Sequence, residues 1–215
     1  MMGTVISTST EPAHETPRLR EAFRRQMSES VLQAAAQLAI EHGWDKVRIG
    51  EVAVSAGVSR PMVYKMFGDK SGLAQALVLA EAERFISAAL DALIGHGAAD
   101  PQVAIAAAVR SALAEGERNP LLKVVLTPGP GGQSDLIRLL TTEAGPVLDA
   151  VTSSVGAWAR AHFPKASGQD LTLAVDMLAR MAVSHLVLPG PDPGATADSI
   201  AAMAISYLNS RGPAG

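Results

Sequence analysis

Between Arg18 and His42, apolar residues at Phe23, Met27, Val31, Leu32, Ala35, Leu38 and Ala39 recur at intervals that place them along one side of a helix. Gly43 ends that pattern, as glycine does when a helix closes on a left-handed residue. Two short helical patterns follow from about Arg48 to Lys70, split by the AGVS tetrapeptide at 56–59. A longer pattern begins after Asp69, whose carboxylate can cap it, and runs through Leu73, Leu77, Ala80, Ile86, Leu90, Leu93 and Ile94 to Gly95. At 1.5 Å per residue this helix spans roughly 37 Å, enough to leave a small domain and enter a larger one. Further helices are predicted at about 101–118, 120–127, 134–143, 145–163, 168–188 and 195–210. Pro101, Asn119-Pro120, the PGPGG stretch at 128–132, Gly145-Pro146, Pro164 and the PGPDPG stretch at 189–194 set their limits. No segment reads as a strand ladder, so the expected fold is all-α with about nine helices. Residues 1–17, rich in Ser, Thr, Glu and Pro without periodicity, read as a mobile tail.

Composition agrees with the periodicity. Of 215 residues, 48% are hydrophobic but only 4% aromatic, and the apolar mass is chiefly Ala, Leu and Val. With no cysteine, disulfides, thiolate nucleophiles and Cys-ligated metals are excluded. The N-terminus lacks the basic start and apolar stretch of a signal peptide, and no run of 18 uncharged apolar residues occurs, so a cytoplasmic chain without membrane spans is expected. His14, His42, His96, His162 and His185 never fall three or four apart. There is no His-Glu-x-x-His, no nucleophile elbow, and the PGPGG stretch lacks the Gly-Lys-Ser/Thr ending of a phosphate loop. No catalytic residue, metal site or cofactor is therefore assigned, and an enzyme is the weaker reading.

Ala53, Gly57 and Val63 stand at the offsets of four and six that a helix-turn-helix requires. A small residue at 53 permits close helix approach, glycine at 57 turns the chain, and a branched residue at 63 anchors the second helix from beneath. Ser59 can cap that helix, and Pro61 lies in its first turn, where a missing N–H does no harm. Its free face then presents Arg60, Met62, Tyr64 and Lys65, a mixture suited to a major groove. An ordinary helical hairpin with a glycine turn would satisfy the triplet as well, and charge weighs against it. The chain nets −3, yet residues 18–72 hold nine basic and six acidic residues, a net of +3, while the tail nets −2 and residues 73–215 net −4. Positive charge travels with the turn.

The segment AGVSRPMVYKMFGDKSGL, with a first helix ending near HGW, Val52-Ala53, Tyr64, Phe67, Lys70 and Leu73 around it, resembles the DNA-binding domain of the TetR family of transcriptional regulators. The resemblance is specific over residues 20–75; beyond it, the chain matches only in helical character and length. It implies a helix-turn-helix DNA-binding domain over 18–72 and a helical effector-binding and dimerisation domain over 73–215. By position, Ser59, Arg60, Pro61 and Met62 would meet base edges, Tyr64 and Lys70 phosphates, and Lys65 either. Arg48 stands where the family usually has Thr: it can reach a phosphate but cannot cap the second helix, and Gly50 weakens that helix further, so its first turn is expected to fray without DNA. The family also implies a homodimer on a palindromic duplex operator and release by a small apolar or amphipathic effector. A helical small-molecule-binding protein or an enzyme, without DNA binding, remains the alternative.

In the larger domain, the predicted 168–188 helix carries two apolar stripes, Leu171, Val175, Leu178, Ala182, Leu186 and Leu173, Met177, Met181, Ser184, Leu188, and so needs two neighbours. Ile200, Met203, Ala204, Tyr207 and Leu208 give the last helix a similar character. Both could be buried within one subunit; the resemblance pairs them with a second copy. Effector-lining candidates are Phe85, Leu113, Leu122, Trp158, Phe163, Met177 and Met181, with Arg110 and Arg180 inside apolar runs as polar candidates. A buried guanidinium needs an acidic partner, and Asp176, Glu143 or Asp149 could supply one. His185 reads as a hydrogen-bonded core histidine.

Overall fold

The secondary structure is helical throughout the described residues, 15–96, 100–126, 135–140 and 143–211 of a computed structural model. The PGPGG stretch and most of the predicted tail lie outside them. Helix α1 spans Glu15–His42, starting three residues earlier than periodicity suggested. A 3-10 turn follows at Trp44–Lys46, then α2 (Ile49–Ser55), α3 (Arg60–Phe67) and α4 (Lys70–His96). Val31, Val52, Ala53, Val63, Leu73 and Leu77 fill the core of this head at 0–1% exposure. The apolar stripe of α1 enters that core only from Val31 onward, with Met27 half-buried before it. Phe23, expected within it, is 64% exposed, since it lies about two helical turns before Val31, where the buried core begins.

The larger domain comprises α5 (Pro101–Arg118), α6 (Pro120–Leu126), α7 (Asp135–Leu140), α8 (Gly145–His162), α9 (Gly168–Val187) and α10 (Pro193–Arg211). Helix α5 packs between α4 and α10, and α9 packs on α8 and α10. Alanine-rich faces allow this closeness: Ala104, Ala197 and Ala201 are fully buried beside Ile200 and Ile105. Asp100 caps α5 by accepting from the Gln102 N–H at 2.8 Å. Ser167 caps α9, accepting from the Asp170 N–H at 3.1 Å while its hydroxyl donates to the Asp170 carboxylate at 2.6 Å. Tyr207 donates to the same carboxylate at 3.2 Å and so ties the start of α9 to α10.

The two domains share α4. Leu73, Ala74, Leu77 and Val78 belong to the core of the head, and Leu121, Leu136 and Val147 from α6, α7 and α8 join the same cluster. Movement of α4 relative to the larger domain must therefore be felt where α3 is seated.

Candidate DNA-reading face and effector cavity

The turn adopts the geometry its residue types require. Gly57 has φ of 68°, and the Val58 N–H donates to the Ala53 carbonyl at 2.9 Å. Ser59 accepts from the Met62 N–H at 3.4 Å, with Pro61 in the first turn of α3. Ala53 and Val63 are buried beneath the turn. Ser59, Arg60, Pro61, Tyr64 and Lys65 remain exposed and Met62 half-buried, so α3 offers to solvent the groups assigned to base edges and phosphates.

Arg48, exposed and extended at the head of α2, makes no side-chain cap, as its side chain dictates. The first turn is nonetheless formed, with the Glu51 and Val52 N–H groups donating to the Arg48 carbonyl at 3.0 and 3.1 Å. Arg60 lies across it: a Cβ on Gly50 would stand 3.5 Å from Arg60 Cδ. This cover was not visible in the spacing. Lys70 Nζ donates to the Asp45 carbonyl at 3.0 Å and sits 5.4 Å from the centre of the Trp44 ring. An ammonium has three donors, so this anchorage leaves two for a phosphate. Gly72 escaped sequence reasoning. A Cβ there would collide with the Phe67 carbonyl oxygen, so only glycine lets the first turn of α4 pass the end of α3. A glycine near a predicted helix start carries no sequence signal that separates this role from chance.

Between α4, α5, α8 and α9 lies a cavity of about 220 Å³. Of the sequence candidates, Phe85, Leu122, Trp158 and Phe163 border it. Apart from the indole, only Glu81 and Asn119 among the described residues bring polar side chains to its wall. These are already committed: Asn119 Nδ2 donates to Glu81 at 2.8 Å, Asn119 Oδ1 accepts from the Leu122 N–H at 3.0 Å, and Arg84 donates to the other Glu81 oxygen at 2.6 Å. The cavity therefore offers a guest almost nothing but hydrocarbon.

Other candidates fall elsewhere. Leu113 borders a second cavity of about 230 Å³, and Met177 and Met181 border neither. Arg110 and Arg180 are not buried guanidinium groups. Arg110 pairs with Asp198 at 2.7 Å and Arg180 with Asp176 at 2.8 Å, and their side chains are 51% and 59% exposed. The hydrogen bond and charge of Asp176 raise the Arg180 pKa above its ordinary value. Alanine explains the misplacement: in AIAAAVRSALA it fits a core or a surface equally well, so an apolar run need not be buried all round. His185 is not hydrogen-bonded through Nδ1, which is buried without a partner among the described residues. Among those residues, no cluster of metal-ligating side chains occurs and no helix is long and apolar enough to cross a membrane.

Residues 31–77 match the family described as bacterial regulatory proteins, tetR family, and residues 100–206 match the bacterial tetracyclin repressor C-terminal domain. The HTH-type transcriptional regulator AlkX of Mycobacterium tuberculosis is 28% identical over 186 residues, 85% of either chain. The crystal structure of the TetR family repressor AlkX from a Dietzia strain, implicated in biodegradation of n-alkanes, superposes with a TM-score of 0.70 at 31% identity, covering 85% of this chain and 98% of that one. A TetR-family regulator from Streptomyces coelicolor shares the fold, with a TM-score of 0.55 at 19% identity over 86% of this chain and 99% of that one.

Proposed function

The chain belongs to the TetR family of bacterial regulatory proteins, which are ligand-responsive DNA-binding regulators and not enzymes, and on that premise we propose a homodimeric repressor released from a palindromic operator by a small, largely apolar effector. One observation carries the reading. Helix α4 supplies Leu73 and Leu77 to the core under α3 and, farther along, Phe85 and Leu93 to the wall of the apolar cavity. A guest that fits only one setting of α4 shifts the population toward that setting by its differential affinity, and the two heads then leave matching major grooves. Localisation in the cytoplasm follows from such a role.

The effector is an aliphatic molecule in this reading. Its support is the hydrocarbon wall of the cavity, joined by the association of the Dietzia relative with n-alkane biodegradation. Each methylene buried contributes about 0.8 kcal/mol, so affinity should rise roughly fourfold per carbon until the cavity is full.

Dimerisation is assigned to α9 and α10. Leu173 on α9, Leu188 at its C-terminal cap and Met203 on α10 are 45%, 78% and 48% exposed, apolar surface that a second copy would cover. Two-fold symmetry then sets half-sites about one helical turn apart.

The test is selection of binding sites from random duplex DNA, followed by anisotropy titration of the selected site with and without n-alkanes of increasing length. A palindrome whose binding weakens as chain length grows is expected. Enrichment of no palindrome defeats the operator assignment, and an operator affinity indifferent to every alkane defeats the effector assignment.

A further inference from the structure

Asn119 stands at a corner where three helices meet. Its own N–H closes α5 by donating to the Gly116 carbonyl at 3.3 Å, and its side-chain Oδ1 opens α6 by accepting from the Leu122 N–H at 3.0 Å. The remaining group, Nδ2, donates to Glu81 of α4 at 2.8 Å. Asn119, 9% exposed, is the one buried polar residue among the described residues, and the Glu81 side chain beside it is 13% exposed. Capping α6 accounts for the Oδ1 contact. It does not account for a bond to a residue 38 positions away.

Leu77, Val78 and Ala82 of α4, with Leu121 of α6, Leu136 of α7 and Val147 of α8, border the apolar cavity and also belong to the core beneath α3. A guest therefore bears on the head by two routes, along α4 and through α6, which packs on α1. Were these walls free to part, a guest would widen its space by moving one of them and leave the head where it was. The bond between Glu81 and Asn119 opposes that parting. It joins an amide to a carboxylate against a hydrocarbon wall, where a lost hydrogen bond is not replaced by water. The Leu122 side chain borders the cavity and its N–H is held by Asn119, so force on the leucine is delivered to the same clamp.

We infer that Asn119 is a positioning residue for the response to the effector: through Glu81 it fastens α4 to the corner between α5 and α6, so that a guest in the apolar cavity moves both routes together and is felt in the head. This rests on the reading of the apolar cavity as the effector site. Neither residue has to bond to the guest. The clamp determines how much of the guest's differential affinity reaches the seat of α3.

The experiment follows amide hydrogen exchange of the full chain with and without saturating n-hexane or n-octane, reading α8 for occupancy of the cavity and α2 and α3 for the response of the head. In the unaltered chain, exchange should change by about two-fold or more in both regions. Asn119→Ser keeps a cap for α6 but is too short to reach Glu81; with α8 still responding, its head response should fall to about a third or less. Glu81→Leu breaks the same bond from the other side and carries the test if Asn119→Ser does not melt cooperatively. Its loss should match that of Asn119→Ser, and the double variant should lose no more than either, as two partners in one bond require. Glu81→Gln, which keeps an acceptor for Nδ2, should retain the response. A head response in Asn119→Ser or Glu81→Leu equal to that of the unaltered chain overturns the clamp, as does a response lost as fully in Glu81→Gln as in Glu81→Leu. An unaltered chain that responds in α8 and not in the head overturns it too, in each case leaving the cavity as the alkane site. No response to either alkane in either region overturns both readings.

Discussion

In the head, Val31, Val52, Val63 and Leu73 are wholly buried, and the functional groups of α3 point outward. In the larger domain, Phe85, Leu122 and Trp158 surround a space they do not fill, and the polar groups on its wall are bonded to one another. In the proposed function the first region would work by displaying donors on a rigid base and the second by keeping a void in otherwise close-packed surroundings. Charge follows the same division, since the +3 of residues 18–72 is set against the −4 of residues 73–215. The whole-chain −3 describes neither region. Its consequence is that a lone head should bind DNA modestly, and tight binding should need two heads on a correctly spaced site.

The contrast can be broken most forcibly at Gly72. Gly72→Val drives a side chain into the Phe67 carbonyl and should cost about 1–3 kcal/mol, abolishing operator binding while the effector cavity still takes its guest. Urea denaturation alongside n-alkane titration measures both, and loss of effector binding as well would show that the two regions do not fail separately.

At the reading face, Arg60→Ala should change which operator is preferred, by about 1–3 kcal/mol at the base concerned. Tyr64→Phe and Lys70→Ala should instead weaken binding to every sequence. Lys70→Ala should also flatten the plot of log affinity against log salt by roughly 0.9. An unchanged slope removes Lys70 from the phosphate contacts.

Filling the void should have the opposite pattern. Ala179→Leu adds hydrocarbon to the cavity wall, weakening effector response about ten-fold while operator affinity holds and stability rises by up to about 1 kcal/mol. Thermal melts and anisotropy titrations separate these effects.

The smallest expected effect lies at the start of α9. The Ser167 hydroxyl, chiefly, together with Tyr207 and Arg211, holds the Asp170 pKa below the ordinary carboxylate value, against an opposing desolvation. A folded-state pKa below the unfolded one means that this stabilisation is complete above the unfolded value and fades as pH falls toward the folded one. Ser167→Ala should therefore narrow the gap between melting temperatures at neutral and acid pH, leaving operator binding at neutral pH unchanged.

Much of the head was legible because its logic is local. Gly57, Ser59, Pro61 and Val63 act within one turn of each other, so residue type at fixed spacing specifies backbone conformation, cap and anchor together. The same local rules placed α5 at Pro101–Arg118 through Pro101 at its start and Asn119-Pro120 at its end. Reasoning from local pattern failed where a side chain's environment is supplied by a distant segment. Arg110 meets Asp198 from α10, Arg60 covers Gly50 from the next helix, and Phe23 is left 64% exposed.

The sequence by itself determined an all-helical chain, its order of helices, and a basic helix-turn-helix at its front, since periodicity, breakers, caps and charge are properties of neighbouring residues. Only the tertiary structure decided which apolar residues enclose space and which fill it, that Glu81 and Asn119 bond to each other, and that the His185 Nδ1 is left without a partner among the described residues. A void or an unpaired atom is a relation among surfaces brought together by folding, and no single helix carries its signature.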